Sequence, residues 1–313
     1  MPSIHPVVDE GLGNSAYVVE LGDGRALVVD PARDPTPYLQ LARWRRLQIA
    51  YAAETHLHAD FLTGSRELAA SEGAQVLAPR ASRLGFAHRG LEDGEEVDLG
   101  GLTLRVLATP GHAPEHASYL LLDGARPLAL FSGGALLVGT VARTDLAGPE
   151  LTEPLARAAY RSLHQRLLSL PDELAVYPTH GAGPFCAAPA GVERTTTIGA
   201  ERRHNRLLAA PHEDAFVAEL LASFGSYPPY FLQLRDRNRV GPEPLGADWR
   251  VLPLLSPDQV QQHLTGGGMV VDARPITAFA TGHIPGALSI ALRPAFASWL
   301  GWLLDGARPL ALF

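Results

Sequence analysis

The segment THLHADF, residues 55–61, carries two histidines and an aspartate at alternate positions. It follows the short apolar run LQIAYAAE, which is predicted to be a buried strand. Alternate side chains of an extended segment point the same way, so His56 and His58 would face one space. Neutral imidazoles bind zinc, iron or copper. The segment therefore predicts a metal site, with an ordinary turn that happens to carry two histidines as the alternative.

Two further histidines come directly after predicted strands. His112 lies in ATPGH, where Pro-Gly forces a turn, and His180 lies in YPTHGAG, before glycines that let backbone approach closely. Functional residues concentrate in loops at strand ends, because a rigid sheet positions them there. One such histidine alone would be interpreted as a hydrogen-bonded structural residue. The motifs taken together, in this order, indicate a metal centre.

The pattern around these motifs predicts an α/β fold. Runs rich in β-branched residues form hairpin-like pairs at SAYVVEL with RALVVDP, at EEVDLGGLTLRVLATP and at ASYLLLDGARPLALFSGG. Helices are predicted at PTPYLQLARWRRL, at SRELAASEGA (ending at glycine) and at LTEPLARAAYRSLHQRLLSL. Strands in groups with helices between them indicate a sandwich of two sheets with outer helices.

The length favours more than one domain. The first is predicted over residues 1–240, with a helical extension from about residue 192 that SYPPYF must interrupt. Residues 241–250, rich in Pro, Gly and polar side chains, are the predicted linker. A second α/β unit over residues 251–313 has helices at SPDQVQQHLTGG and FASWLGWLL and strands at MVVDAR and PLALF.

One segment is repeated: LLDGARPLALF occurs at residues 121–131 and again, identically, at residues 303–313. The flanking sequences differ, so the repeat is not a duplicated domain. Asp-Gly predicts a turn in both copies. In the first copy the turn would join two strands, and in the second it would end a helix and lead to a strand.

Composition excludes several classes of protein. The 313 residues carry a formal net charge of -7 with both signs interspersed, which argues against nucleic-acid and anionic-membrane surfaces. The single cysteine, Cys186, allows neither an intrachain disulfide nor a Cys-based zinc knuckle. The N-terminus does not resemble a signal peptide, and no apolar run approaches a membrane span. A cytoplasmic protein is expected, and a homo-oligomer is left open.

HLHAD, TPGH and the late PTHGAG together resemble the metallo-β-lactamase superfamily. More narrowly, ETHLHADFLTGSRELA, TPGHAPEHASYLL, GTVARTDLAGPE and VYPTHGAGPFC are similar to persulfide dioxygenase-like members fused to a rhodanese domain, as found in bacteria. DARPITAFATGHIPGALSI resembles the start of that rhodanese domain. The resemblance implies an αββα sandwich followed by the N-terminal half of a rhodanese-like domain. No cysteine-bearing loop follows PLALF, so sulfurtransferase activity is not expected.

The resemblance also implies metal ligands. His56, His58 and His112 would form a first site, and Asp60, residue 61 and His180 would serve a second. The residue after Asp60 is normally histidine, and here it is Phe61. The aspartate that normally bridges two ions falls at Gly134 in FSGGALLVG. A dinuclear centre is disfavoured, because two nearby divalent ions need anionic ligands to offset their repulsion.

Mononuclear persulfide dioxygenases use the equivalents of His56 and His112 plus the aspartate that is absent at Gly134. Three outcomes follow: His58 completes a three-histidine site, Asp60 supplies the carboxylate, or the metal is weak or absent. We expect one Fe(II) per chain, with zinc as the alternative, held by His56, His58 and His112.

Asp60 and His180 are assigned to catalysis, with Asp60 orienting a ligand or water. Arg143 in VARTDL is assigned to substrate binding, against the alternative of a structural salt bridge with Asp145. Cys186 is expected to be a buried, unreactive thiol.

The expected function is oxidation of a low-molecular-weight thiol persulfide to sulfite and free thiol. A zinc-dependent hydrolase of glutathione- or CoA-type thioesters is the alternative within enzymes. A non-catalytic sulfur-relay or binding protein is the third possibility, because both domains lack residues that their families use.

Overall fold

Two six-stranded sheets form the centre of the first unit in the computed structural model, which describes residues 2–181, 193–246, 249, 251–304, 306 and 308–313. The strands of the first sheet lie in chain order: β1 (Ile4–Asp9), β2 (Asn14–Glu20), β3 (Arg25–Val29), β4 (Gln48–Ala53), β5 (Gln75–Pro79) and β6 (Arg89–Leu91). The first three pair antiparallel, and β3 to β6 pair parallel.

The second sheet is also continuous in chain order: β7 (Glu96–Asp98), β8 (Thr103–Ala108), β9 (Ala117–Asp123), β10 (Arg126–Gly133), β11 (Ala175–Pro178) and β12 (Thr196–Thr197). Only β10 and β11 pair parallel. The helices of this unit are α1 (Thr36–Arg45), α2 (Ser65–Glu72), α3 (Thr152–Gln165), α4 (Ile198–His204), α5 (Glu213–Ala222) and α6 (Phe231–Val240). The segment SYPPY, residues 226–230, lies between α5 and α6, as predicted, and Phe231, the last residue of SYPPYF, begins α6.

Three apolar clusters define four layers. Between the sheets, side chains such as Tyr17 and Leu27 of the first sheet pack with Tyr119 and Phe131 of the second. The outer face of the first sheet packs against α1 and α2, and that of the second packs against α3 and α5. Burial on both faces explains the continuous apolar strands. The predicted α/β class and αββα sandwich are therefore confirmed.

A second unit contains a three-stranded parallel sheet in the order β14 (Leu288–Ser289), β13 (Met269–Asp272) and β15 (Leu310–Leu312). Its helices are α7 (Pro257–Thr265), α8 (Ile276–Thr281) and α9 (Phe296–Leu303). The chain divides into a unit of residues up to 9, 13–227 and 231–244, and a unit of residues 10–12, 228–230 and 245–313. The domain boundaries at residues 240 and 250 stay predictions. Among the described residues, no helix has the length and apolarity needed to cross a membrane.

The repeated segment adopts two conformations, as predicted. In the first copy, Gly124 has a φ of 55° and joins β9 to β10. In the second, α9 ends at Leu303, Gly306 has a φ of 72°, and β15 follows. The glycine fits both turns because it adopts positive φ without steric cost.

The two copies provide a matched experiment, because Leu130 and Leu312 occupy the same position in an identical sequence but are 0% and 51% exposed. We expect Leu130→Ala to lower the free energy of unfolding by about 2–5 kcal/mol, since it removes a fully buried side chain. Leu312→Ala should cost less than about 1 kcal/mol. Denaturant unfolding of both variants measures the difference, and equal losses would contradict the assigned burial.

Candidate metal centre

Four loops that follow strands bring the predicted site residues together. The HLHAD loop follows β4, the loop with His112 follows β8, Gly134 follows β10, and His180 follows β11. Residues from both sheets therefore meet at one edge of the sandwich. Because each loop extends from a buried strand, the side chains are held by a rigid framework.

Three imidazoles form the central cluster, and their ligand nitrogens lie within 4.8 Å of one another: His56, His58 and His180. The Nε2 atoms of His56 and His180 are 3.2 Å apart. All three side chains are buried. The cluster includes two of the three predicted metal ligands, and it adds His180, which the sequence had assigned to catalysis.

The third predicted ligand, His112, lies beside this cluster. Its ring centroid is 4.7 Å from that of His56 and 5.0 Å from that of His180. Its Nδ1 lies 2.7 Å from the backbone carbonyl oxygen of Arg143. A carbonyl only accepts, so Nδ1 carries the proton and Nε2 keeps its lone pair.

Gly134 lies directly against His112. A Cβ atom at Gly134 would come within 2.5 Å of Cδ2 and 2.7 Å of Cγ of the His112 ring. The Gly134 N–H also donates to Nε2 of His116, at 2.9 Å. The ring of His112 therefore occupies the space that a side chain at position 134 would need.

Phe61 stacks on His58, with ring centroids 4.2 Å apart and an interplanar angle of 27°. Its side chain offers no ligand, and the apolar ring covers one face of the imidazole. Position 61, where a histidine could supply a nitrogen to a second metal, instead carries a phenylalanine ring that packs on His58.

The buried carboxylate of Asp30 holds the segments that carry the histidines. Asp30 accepts hydrogen bonds from the Thr55 N–H and Thr55 hydroxyl, both at 2.7 Å, and from the Thr179 hydroxyl. Burial alone would raise the pKa of Asp30, but the adjacent His58 and these donors lower it below its ordinary value. Asp30 thus remains ionised.

His58 lies between two carboxylates. Its Nε2 is 3.2 Å from Oδ1 of Asp30 and 3.1 Å from Oε2 of Glu54, at ion-pair distance but without the alignment of a regular hydrogen bond. Burial would lower the pKa of His58, yet these two carboxylates raise it to about 9. Burial also raises the pKa of Glu54. The carboxylates make the imidazole more basic, which strengthens it as a ligand once its Nδ1 proton is displaced.

Asp60 is held by Asn14 and His180. Its Oδ2 accepts from Nδ2 of Asn14 at 2.6 Å and lies 3.3 Å from Nδ1 of His180. Burial would raise the pKa of Asp60, but the nearby His180, His58 and Asn14 hold it well below its ordinary value. The carboxylate is therefore charged, and it fixes the orientation of His180.

The donor set fits a transition metal. Burial, followed by the proximity of other imidazoles, holds the pKa of both His56 and His112 well below the ordinary value, so each has a lone pair to donate. Within the described residues, Nδ1 of His58 and Oδ1 of Asp60 are buried without a hydrogen-bond partner. Such atoms are costly to bury unless something binds them, and an ion would do so.

Arg143 forms an ion pair with Asp145, through Nε–Oδ1 at 2.7 Å and Nη2–Oδ2 at 2.8 Å. Its Nη2 also donates to the Gly225 carbonyl, and its guanidinium lies 4.5 Å from the centre of the Tyr227 ring. The salt bridge anticipated as an alternative therefore exists, and substrate binding by Arg143 stays a prediction. Cys186 lies outside the described residues.

Sequence reasoning missed the residues that position the metal loop from α6. Asn238 donates to the carbonyls of His58 and Phe61, both at 2.8 Å, and accepts the Thr63 N–H at 2.9 Å. One turn earlier, Arg235 pairs with Glu115 at 3.0 Å. No local motif marks these contacts, which span more than a hundred residues of chain.

Asp30 and His116 were also not identified from the sequence as site residues, although the position of each in the sequence could have indicated it. Asp30 ends the strand run RALVVDP, and His116 closely follows TPGH. The His116 ring stacks on His56 at 5.0 Å, and burial lowers the pKa of His116 to about 3. A neutral His116 accepts the Gly134 N–H and so fixes the backbone that follows β10.

Comparison with known proteins agrees with this architecture. A family model of the metallo-beta-lactamase superfamily matches residues 9–180, more than half of the chain, and a rhodanese-like domain model matches residues 256–308. The chain belongs to the metallo-β-lactamase superfamily and carries a rhodanese-like domain after it. A metallo-beta-lactamase structure from Staphylococcus aureus subsp. aureus COL is similar, with a TM-score of 0.86 and 28% identity, covering 100% of this chain and 90% of that one.

Two kinds of enzyme are among the relatives. The mitochondrial persulfide dioxygenase ETHE1 of Homo sapiens is 33% identical over 172 residues, which cover 54% of this chain and 64% of that protein. A hydroxyacylglutathione hydrolase of Pseudomonas entomophila (strain L48) is 35% identical over 156 residues, covering 50% of this chain and 57% of that protein. The aligned segments thus span less than two thirds of either relative.

The close approach of Gly134 and His112 predicts the effect of a small substitution. Gly134→Ala should lower the free energy of unfolding by about 1–3 kcal/mol, because its methyl group must displace the ring. Gly225→Ala is a matched control, since a Cβ there meets nothing within 4 Å and φ is not left-handed. That control should be neutral or stabilising by up to about 1 kcal/mol. Urea denaturation of both variants tests this, and equal stability of the two would refute the contact.

The charge of Asp30 predicts a second result. Asp30→Asn keeps the shape and tolerates the positive φ of 50°, but removes the charge. We expect a loss of about 1.5–3 kcal/mol in unfolding free energy and a pKa of His58 that falls below about 9 in metal-free protein, measured by NMR titration. The exposed Asp123→Asn is the control and should change neither quantity. An unchanged His58 pKa in Asp30→Asn would contradict the pairing.

Proposed function

We propose that this protein is a mononuclear metal-dependent enzyme that oxidises a low-molecular-weight thiol persulfide to sulfite and free thiol. The observation that carries the proposal is the buried cluster of imidazoles in the loops that follow β4 and β11. The chain that carries it is similar to a persulfide dioxygenase. Each of the cluster's three residues offers one ligand atom, and these atoms lie within 4.8 Å of one another, as ligands of a single ion would.

The two departures from the dinuclear pattern support a single metal. Phe61 replaces a nitrogen donor with an apolar ring, and Gly134 replaces the bridging carboxylate with hydrogen. Asp60 remains, but it is engaged by Asn14 and His180. A second divalent ion would therefore lack the nitrogen donor at position 61 and the bridging carboxylate at position 134, which would offset the repulsion between two adjacent cations.

Fe(II) is the proposed metal, and when bound it supplies the redox chemistry by which O₂ oxidises the terminal sulfur of the persulfide. In the overall reaction, O₂ and one water supply the three oxygens of sulfite, and the thiol leaves with a proton. His56, His58 and His112 would hold the ion. The Oδ1 atom of Asp60, buried and without a hydrogen-bond partner in the described part of the chain, would accept a proton-bearing water or substrate group.

The remaining assignments stay proposals. Arg143 would help to hold the thiol carrier near the site, although its ion pair with Asp145 restrains it. The substrate would be a small thiol persulfide, with no nucleic acid or membrane partner, in the cytoplasm. A homo-oligomer remains open.

A zinc-dependent thioesterase is a second candidate, favoured by the nitrogen-only cluster. Three histidines around Zn²⁺ leave one position at which water reaches a pKa of about 7. The similarity to a hydroxyacylglutathione hydrolase is consistent with this chemistry. A non-catalytic binding protein would bind no metal at this cluster.

Metal content and reaction distinguish these possibilities in protein purified without added metal. We expect about one iron per chain, O₂ uptake on addition of glutathione persulfide, and loss of uptake by at least about 100-fold in His56→Ala. His164→Ala on α3, which contacts Tyr160, is the matched histidine control and should retain activity. Zinc with turnover of an acylglutathione thioester would support the hydrolase instead. No metal in the unaltered protein would rule out both enzymes.

A further inference from the structure

We propose that α6 is thermodynamically coupled to the metal site: the helix fixes two ligand-bearing loops against each other, and a bound metal ion in turn favours the docked helix. The two side chains that do this, Arg235 and Asn238, lie one turn apart on α6 and are called the α6 clamp. Both are positioning residues. The inference rests on the proposed function only as far as His56, His58 and His112 bind a metal, and it is independent of the reaction.

Asn238 holds the loop after β4, which carries the first two ligands. Its Nδ2 donates to the backbone carbonyls of His58 and Phe61, both at 2.8 Å. Its Oδ1 accepts the Thr63 N–H at 2.9 Å. An amide side chain has two protons, and both are used in these bonds. One buried side chain thus binds the loop backbone on both sides of Asp60.

Arg235 connects this loop to the loop after β8, which carries His112. The guanidinium pairs with Glu115 through Nη2–Oε2 at 3.0 Å, and Oε1 of Glu115 accepts the Leu57 N–H at 3.0 Å. Leu57 lies between the two histidines of the loop after β4, and Glu115 lies in the same loop as His112. The α6 clamp therefore fixes the separation between ligands that come from two different loops.

The order of α6 depends on the same contacts. The helix has ten residues, and its buried side chains are those of Phe231, Leu234, Arg235 and Asn238. Because a helix of this length is marginal by itself in water, it needs docking to stay ordered. Undocking would remove the partner of two loop carbonyls and one N–H, and it would separate a buried ion pair. The helix and the two loops are therefore ordered together.

A coupling of this kind is reciprocal. If the docked helix raises the affinity of the loops for a metal ion by some factor, the bound ion must favour the docked helix by the same factor. An ion whose ligands come from both loops stabilises the loop arrangement that the α6 clamp binds. The opening of α6 would then depend on metal occupancy, although the helix contributes none of the proposed ligands.

The first test is Co(II) binding, measured by chelator competition and by the visible absorption of the bound ion, with no reliance on activity. Asn238→Ala should weaken Co(II) affinity about 10-fold and alter the spectrum, because the backbone beside His58 loses its fixed direction. Leu220→Ala on α5 is the control for lost stability. It removes a fully buried side chain remote from the α6 clamp, so the folded protein should keep the affinity and spectrum of the unaltered chain.

Unchanged Co(II) affinity and spectrum in a folded Asn238→Ala protein would overturn the coupling, and circular dichroism checks that the variant folds. If it does not fold, hydrogen exchange of the unaltered protein decides. Co(II) should slow exchange in residues 55–63 and in α6 together, while amides of α5 that exchange by local opening should not change. Protection of residues 55–63 without α6 would overturn the coupling.

The proposed function fails separately, if the unaltered protein binds metal yet does not consume O₂ with glutathione persulfide. In that outcome the Co(II) and exchange measurements still decide the coupling. Conversely, O₂ consumption by the unaltered protein, with Co(II) binding that does not change in Asn238→Ala, would overturn the coupling alone. A protein that binds no Co(II) would overturn both.

Discussion

The buried carboxylate of Asp30 is the interaction on which the site depends. It follows β3 in the first sheet, yet it accepts hydrogen bonds from Thr55 after β4 and from Thr179 after β11 in the second sheet. An isolated buried charge would cost several kcal/mol, so all of its donors must be in place together. The loops that carry His56 and His180 are thereby held at a fixed separation by one side chain.

At both departures from the ligand pattern of the superfamily, an aromatic ring lies where a metal ligand would be expected. Phe61 packs flat on His58, and the space beside Gly134 receives the ring of His112. An aromatic ring therefore lies at each of the two positions. The pocket is thus repacked around fewer charged ligands, which suits one divalent ion and lowers the negative charge buried with it.

The sandwich could be predicted from the sequence because its evidence is local. Apolar runs, turn residues and a helix-ending glycine lie within a few residues of the structures they specify, and α2 ends at Gly73 as expected. The strand β1 and the helix α8 escaped prediction, as did the contacts of Asn238 with the metal loop. His56 and His58 were found as neighbours in sequence, whereas the approach of His180, 124 residues away, depends on how the two sheets pair.

The duplicated eleven-residue segment has a consequence for any measurement made on peptides. Fragments LLDGARPLALF from residues 121–131 and 303–313 have the same mass and the same retention, so they reach a detector as one species. One copy contributes a central strand of the sandwich and the other a strand of a three-stranded sheet. Deuterium uptake by this species would therefore be a superposition of two populations, and its isotopic envelope would split wherever the two sheets open at different rates.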